Sequence, residues 1–323
     1  MHKPKVFITR RWTLSVEEKL RHLYNVTLNE TDRPLTADEF KTALQEYDAV
    51  CPTVCDSFPA EVLNVENKRC KILANFGVGY NHIDITAAKA NGLLVTNTPD
   101  VLTQSTADIA MTLLLMTARR GAEGDRLVRA KQWTGWCPTH MLSSNVTGAT
   151  LGLIGFGRIG QAMARKAHHG FDMKIIYFNP SAANEYVTQD LQAKRCNSVE
   201  EVLAQADFVS LHCPAGANTK HLINAQTLKL MKPSAHLINT ARGDVVDSVA
   251  LCDALKNKQI AGAGLDVYEN EPHIYEGFLT LDNVALLPHL GSATLETRTA
   301  MGEKVLANLA AHFAGQTLPD RVV

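Results

Sequence analysis

Three segments of this sequence set an acid–base or anion-binding side chain directly after a run of strand-forming residues. They are Asn239-Thr-Ala-Arg242-Gly243-Asp244, Gly264-Leu-Asp266-Val-Tyr-Glu-Asn-Glu271-Pro272 and Leu287-Pro-His289-Leu-Gly291-Ser292. Together they offer a guanidinium, a carboxylate and an imidazole. Arg242 is permanently cationic, and its planar fork suits a carboxylate with a neighbouring oxygen. His289 can exchange a proton near neutral pH, and a carboxylate such as Glu271 on its other ring nitrogen would orient the ring and favour its charged form. Taken singly, each is as readily a solvated loop residue. Arg242 could merely pair with Asp244, and Glu271 could be a turn residue before Pro272. Their occurrence together at strand ends carries the reading, because the carboxyl ends of strands are where an open α/β sheet binds its ligand.

A second constellation binds rather than reacts. Thr150-Leu-Gly-Leu-Ile-Gly155-Phe156-Gly157-Arg158-Ile159-Gly160 runs from an apolar strand into a helical stretch ending near Gly170. In this G-x-G-x-x-G, Gly155 permits the tight turn, Gly157 lets the backbone approach a pyrophosphate, and Gly160 allows helix to pack on strand. The N–H groups of the first helical turn then face the phosphates. Strand before and helix after raise the triplet above a bare glycine turn. The following strand ends at Asn179-Pro180-Ser181, where a site for NAD usually carries Asp or Glu. Asn179 would not repel the extra phosphate of NADPH and can donate a hydrogen bond, and Ser181 could add another. No Arg or Lys follows at once. Both NADH and NADPH are therefore expected to serve, with a slight lean to NADPH.

Strands are predicted at 6–9, 49–52, 71–75, 93–97, 150–155, 174–178, 208–212, 236–239, 262–266 and 284–287. Stretches with helical periodicity separate most of them. That alternation predicts α/β architecture with parallel sheets covered on both faces. One helix, Val101 to Arg120, is apolar almost all round. Asp100 is its expected N-cap and Gly121 its expected stop. Such a helix is buried between layers or between domains, and it is read as the spine joining two domains, with a core helix of one domain as the alternative.

Composition narrows the function. The 323 residues suggest two domains, and 46% hydrophobic with 20% charged residues suits folded globular units. With 32 basic and 33 acidic side chains the net charge of −1 gives no global pull toward nucleic acid or anionic membrane. The longest apolar stretch, Ile109 to Ala118, is too short to cross a bilayer, and the N-terminus lacks the apolar core of a secretory signal. Seven scattered cysteines, an odd number, point to reduced thiols in the cytoplasm. Cys51 and Cys55 have no matching second pair, and His168-His169 sits where a helix C-terminus attracts positive charge, so no metal site is expected.

Over nearly its whole length the sequence resembles the D-isomer-specific 2-hydroxyacid dehydrogenases. The motifs that carry the likeness are Asn75-Phe-Gly-Val-Gly79-Tyr-Asn-His-Ile-Asp84, the G-x-G-x-x-G, Thr240-Ala241-Arg242-Gly-Asp, Asp266-Val-Tyr-Glu-Asn-Glu271-Pro and Pro288-His289-Leu-Gly-Ser-Ala-Thr. Thr98-Pro-Asp-Val-Leu-Thr-Gln-Ser-Thr106-Ala-Asp108 and Trp133-Thr-Gly-Trp136 are similar to the glyoxylate/hydroxypyruvate reductase branch.

The resemblance implies two Rossmann-like or flavodoxin-like domains with a cleft between them. A discontinuous substrate domain would comprise 1–100 and 289–323, and an NAD(P)-binding domain 101–288. It implies Arg242, Glu271 and His289 as catalytic residues reducing a small 2-keto acid. It implies main chain at Val78 and Gly79, with Ser292, as substrate contacts. Trp136 would cross to the active-site mouth of a homodimer partner. Thr106 would reach the cofactor phosphate, and Asp266 the nicotinamide carboxamide. His212, Cys213, Pro214, Thr219, Thr240, Ala241, Arg242, His289 and Gly291 would line the rest of the cofactor path. A dehydrogenase for another D-2-hydroxy acid, or a nucleotide-sensing module of the same fold, is the alternative reading.

Overall fold

Ten apolar runs become strands of two all-parallel sheets, and two further, largely exposed strands add one edge to each sheet. The computed structural model describes residues 3–323 as two units. One unit is the chain up to Leu102 with Ala293–Val323; the other is Thr103–Ser292. The boundaries place His289, Gly291 and Ser292 in the second unit, whereas the sequence reading put them in the first.

In the first unit the strands are β1 (Lys5–Ile8), β2 (Asn25–Leu28), β3 (Ala49–Cys51), β4 (Ile72–Ala74) and β5 (Leu94–Thr96), in the order β2-β1-β3-β4-β5. This is a flavodoxin-like order. Period-two alternation divides the core between the two faces. Val6, Ile8, Cys51 and Ile72 pack with Leu20, Met301 and Leu309 on one face, and Val50, Leu73 and Val95 pack with Phe40, Leu44 and Phe58 on the other. The C-terminal tail returns here for a local reason. The Val95 N–H donates to the Val323 carbonyl at 3.2 Å, and the Val322 N–H to the Val95 carbonyl at 2.8 Å. The helix Leu295–Phe313 lies close against the helix Leu14–Leu23, and a Cβ on Gly302 would stand 2.7 Å from Val16 Cγ1.

The second unit holds β6 (Thr150–Ile154), β7 (Lys174–Phe178), β8 (Lys194–Arg195), β9 (Phe208–Leu211), β10 (His236–Asn239), β11 (Gly262–Leu265) and β12 (Val284–Leu286). Their order is β12-β11-β10-β9-β6-β7-β8. That is the dinucleotide-fold order, and the chain reverses direction across the sheet between β6 and β9. Two expectations change here. The apolar helix spans Thr103–Ala118 and belongs wholly to the second unit. Asp100 takes a left-handed φ of 74° ahead of it, and Arg120, not Gly121, makes the left-handed turn at φ 53° after it. Gly121 instead opens a new helix, Gly121–Arg129. The sequence reading also lacked β2 and β8. Both are edge strands with largely exposed side chains, so neither shows an apolar run.

Candidate active site

The turn after β6 is built as the fingerprint requires. Gly155 has φ +92°, and a Cβ there would lie 2.6 Å from the His212 carbonyl carbon at the end of β9. The direction of a Cβ on Gly157 is open, with no atom within 4 Å. A Cβ on Gly160 would meet the Gly155 carbonyl oxygen at 2.5 Å, which keeps the helix Arg158–Phe171 tight on the strand end. The helix therefore starts at Arg158 with its first N–H groups, Ile159 among them, left without intrahelical partners. The open side of Gly157 and the exposed helix start fit a bound pyrophosphate. Thr240, directly after β10, has a buried hydroxyl with no hydrogen-bond partner among the described residues.

Three expected cofactor contacts are otherwise engaged. The Phe156 N–H donates to Asn179 Oδ1 at 3.1 Å while its ring stacks on Tyr177, so it points at the next strand rather than at a phosphate. Asn179 Nδ2 donates to the carbonyl and the hydroxyl of Ser181 at 2.9 and 3.0 Å. Both of its amide hydrogens are thereby used inside the turn of Asn179, Pro180 and Ser181. Thr219 Oγ1 donates to the Pro214 carbonyl at 2.7 Å and closes the loop after β9. Burial holds His212 down to about 4 and pushes the Cys213 thiol up to about 11. At neutral pH both are uncharged, and the His212–Cys213 main chain is what meets Gly155.

The catalytic candidates converge within the second unit. His289 Nδ1 donates to Glu271 Oε2 at 2.7 Å, and the Tyr268 N–H donates to Glu271 Oε1 at 3.0 Å. Burial pushes the Glu271 carboxyl up. The His289 hydrogen bond and charge, the Tyr268 N–H and the Arg242 charge together outweigh that and hold it below its ordinary value. His289 Nε2 makes no hydrogen bond among the described residues and is free to meet a ligand. Burial lowers Arg242 from its ordinary value while Glu271 pulls it back up; a guanidinium so placed keeps its charge. Asn239 shapes its turn, accepting from the Ala241 N–H at 3.0 Å and donating to the Arg242 carbonyl at 2.9 Å.

Asp266 and Thr106 both bond to the His289 loop. His289 itself sits at a left-handed φ of 56°, a conformation that needs outside support. Asp266 supplies it. Its carbonyl accepts from the His289 N–H at 3.0 Å, and its two carboxylate oxygens accept from the Leu290 and Gly291 N–H groups at 2.7 and 2.8 Å. Thr106 Oγ1 donates to the Gly291 carbonyl at 3.1 Å, which uses the one proton it could give a phosphate.

In the first unit the loop after β4 has its carbonyls pinned. Asn75, fully buried, donates through Nδ2 to the Gly77 and Gly79 carbonyls, both at 3.0 Å. Asn97 Nδ2 donates to the Val78 carbonyl at 2.9 Å. The Val78 and Gly79 N–H groups make no hydrogen bond among the described residues, which leaves two adjacent donors for an anion. Ser292 is half-buried directly after Gly291. Trp136 is 81% exposed in a segment, 128–140, that is exposed throughout. Sequence reasoning missed Asn75 as a support, although it opens a quoted motif, and missed Arg195, whose polar strand gave no signal.

The family description "D-isomer specific 2-hydroxyacid dehydrogenase, NAD binding domain" matches residues 111–291. The chain is 44% identical over 325 residues to a glyoxylate reductase of Pyrococcus furiosus, covering 99% of this chain and 95% of that one. Among solved structures, a putative D-isomer specific 2-hydroxyacid dehydrogenase from a Polaromonas species superposes with a TM-score of 0.92 at 35% identity, covering 99% of this chain and 100% of that one. An NADPH-dependent glyoxylate/hydroxypyruvate reductase from Sinorhizobium meliloti, solved with NADP and malonate, gives 0.86 at 34% identity, covering 99% and 97%. No helix among the described residues is long and apolar enough to cross a membrane.

Proposed function

The chain belongs to the D-isomer-specific 2-hydroxyacid dehydrogenases, and from that premise we propose that it reduces glyoxylate or hydroxypyruvate to glycolate or D-glycerate. The observation that carries the reading is the 2.7 Å bond from His289 to Glu271, beside the charge of half-buried Arg242, at the carboxyl ends of a dinucleotide-fold sheet. When bound, NADH or NADPH supplies the hydride that C2 receives.

The protein's own residues do the rest. Arg242 binds the carboxylate and the keto oxygen through its fork. The Val78 and Gly79 N–H groups of the first unit offer two adjacent donors to an anion such as a carboxylate. His289 donates its Nε2 proton to the keto oxygen as that oxygen gains charge, completing the alcohol, and takes the proton back in the reverse direction. Glu271 stays ionised, fixes the ring through Nδ1 and stabilises the imidazolium that must be present before each reduction.

The exposed segment carrying Val128, Trp133, Trp136 and Leu142, 58%, 55%, 81% and 70% exposed, supports a homodimer in which Trp136 reaches the partner. A monomer in sedimentation, or an unaltered KM for hydroxypyruvate in Trp136→Ala, would count against it. Seven scattered cysteines, an odd number, favour the reducing cytoplasm. Mixing the protein with either reduced cofactor and glyoxylate tests the activity itself. The expected result is loss of nicotinamide absorbance; no loss with glyoxylate or hydroxypyruvate overturns the proposal.

A further inference from the structure

We propose that Arg195 recognises the 2′-phosphate of NADPH. The inference rests on the nicotinamide-dependent reading above and assigns one residue of it. A dinucleotide-fold sheet reads the adenosine ribose at the carboxyl end of its second strand, here β7. Residues 179–184 beyond that end are Asn-Pro-Ser-Ala-Ala-Asn, with neither an acid to repel a phosphate nor a base to attract one. Asn179 cannot fill the gap, because Ser181 already takes both hydrogens of its amide nitrogen.

The charge comes from the neighbouring edge strand. β8 pairs parallel with β7, with Arg195 opposite Tyr177. From there the Arg195 side chain extends to the end of β7. Its Nη2 donates to the Asn179 and Pro180 carbonyls, both at 3.0 Å. The guanidinium is thus held one hydrogen bond from the residues that bracket the ribose position. It makes no ion pair with a carboxylate among the described residues, so its charge is not neutralised. Neutral carbonyls engage only one of its three nitrogens, and the remaining donors can form the paired hydrogen bonds that a phosphate accepts. The side chain is exposed, so an incoming ligand can reach it.

The competing role is a pin that holds the 179–181 turn in place. That role would affect NADH and NADPH alike, whereas charge recognition affects only the cofactor with the extra phosphate. Equilibrium binding of each reduced cofactor, followed by nicotinamide fluorescence, separates the two in Arg195→Gln. The NADPH Kd is expected to rise about 10- to 100-fold, the value of a charged hydrogen-bonded contact, with the NADH Kd within about twofold of its original value. In competition, the same variant is expected to lose affinity for adenosine 2′,5′-bisphosphate and keep it for ADP. Equal weakening of both cofactors, or no change in either, overturns the assignment while leaving the dehydrogenase reading intact. An unaltered protein that binds neither cofactor overturns both.

Discussion

Glu269 and Glu271 stand two residues apart on one loop, and each holds the imidazole of a different histidine. Glu271 takes His289 Nδ1 at 2.7 Å, while Glu269 takes His221 Nε2 at 2.6 Å. The second oxygen of Glu269 accepts from the Ser248 N–H at 3.0 Å, at the start of the helix Ser248–Lys256. Glu269 therefore ties the loop to the body of the unit, and Glu271 alone serves the proton donor. In Glu271→Gln the imidazolium loses its charged partner but keeps a hydrogen bond. The upper pH limit of keto-acid reduction is then expected to move to lower pH. In Glu269→Gln that limit is expected to stay in place while turnover falls only a few-fold. Rate profiles against pH for both variants check this, and an equal shift in both would contradict the division of roles.

Asn75 is expected to govern substrate affinity through the loop it holds. Removing its amide in Asn75→Ala frees the Gly77 and Gly79 carbonyls and lets the Val78 and Gly79 N–H groups turn away. Three hydrogen bonds are lost, the third between Asn75 Oδ1 and His82 Nε2 at 3.0 Å. The KM for glyoxylate is expected to rise about 10-fold or more, with cofactor affinity unchanged. An unaltered KM in a folded variant would show that the loop holds itself.

Acid stability should report the two buried histidines. Burial holds both His212 and His236 at about 4. His236 lies between Thr117 Oγ1 at 3.1 Å and Ser144 Oγ at 2.9 Å. An unfolded chain protonates these rings near pH 6.5, whereas the folded one resists until about pH 4, so the unfolded state binds the extra protons. Stability is then full above about pH 6.5 and falls as pH drops toward 4, by at most about 1.4 kcal/mol per pH unit for each ring. In His236→Gln one of these contributions disappears. Urea midpoints measured between pH 4.5 and 7 are expected to show a shallower slope for the variant, and an unchanged slope would contradict the assignment.

What the sequence made legible follows from which residues had to be apolar. β6, β9, β10 and β11 are buried on both faces and show as apolar runs. β8 is two exposed residues at an edge, and with it went Arg195. The Arg242, Glu271 and His289 set was readable because each residue follows a legible strand. The roles of Asp266 and Thr106 were not. Asp266 supports N–H groups 24 and 25 residues further along, and Thr106 bonds a carbonyl 185 residues away. Contacts of that separation leave no local spacing to read. The helix stop was misplaced for a related reason. Arg120 accepts the left-handed turn, held by Glu123 at 2.6 Å, where glycine was the ordinary expectation.

The central claim is that His289 delivers the proton to the keto oxygen. Steady-state turnover of glyoxylate by His289→Ala, measured beside the Kd for NADPH, tests it most directly. The expected result is a fall in kcat of about 10²- to 10⁴-fold with cofactor affinity within about twofold of its original value. Full retained turnover in that variant would contradict the account.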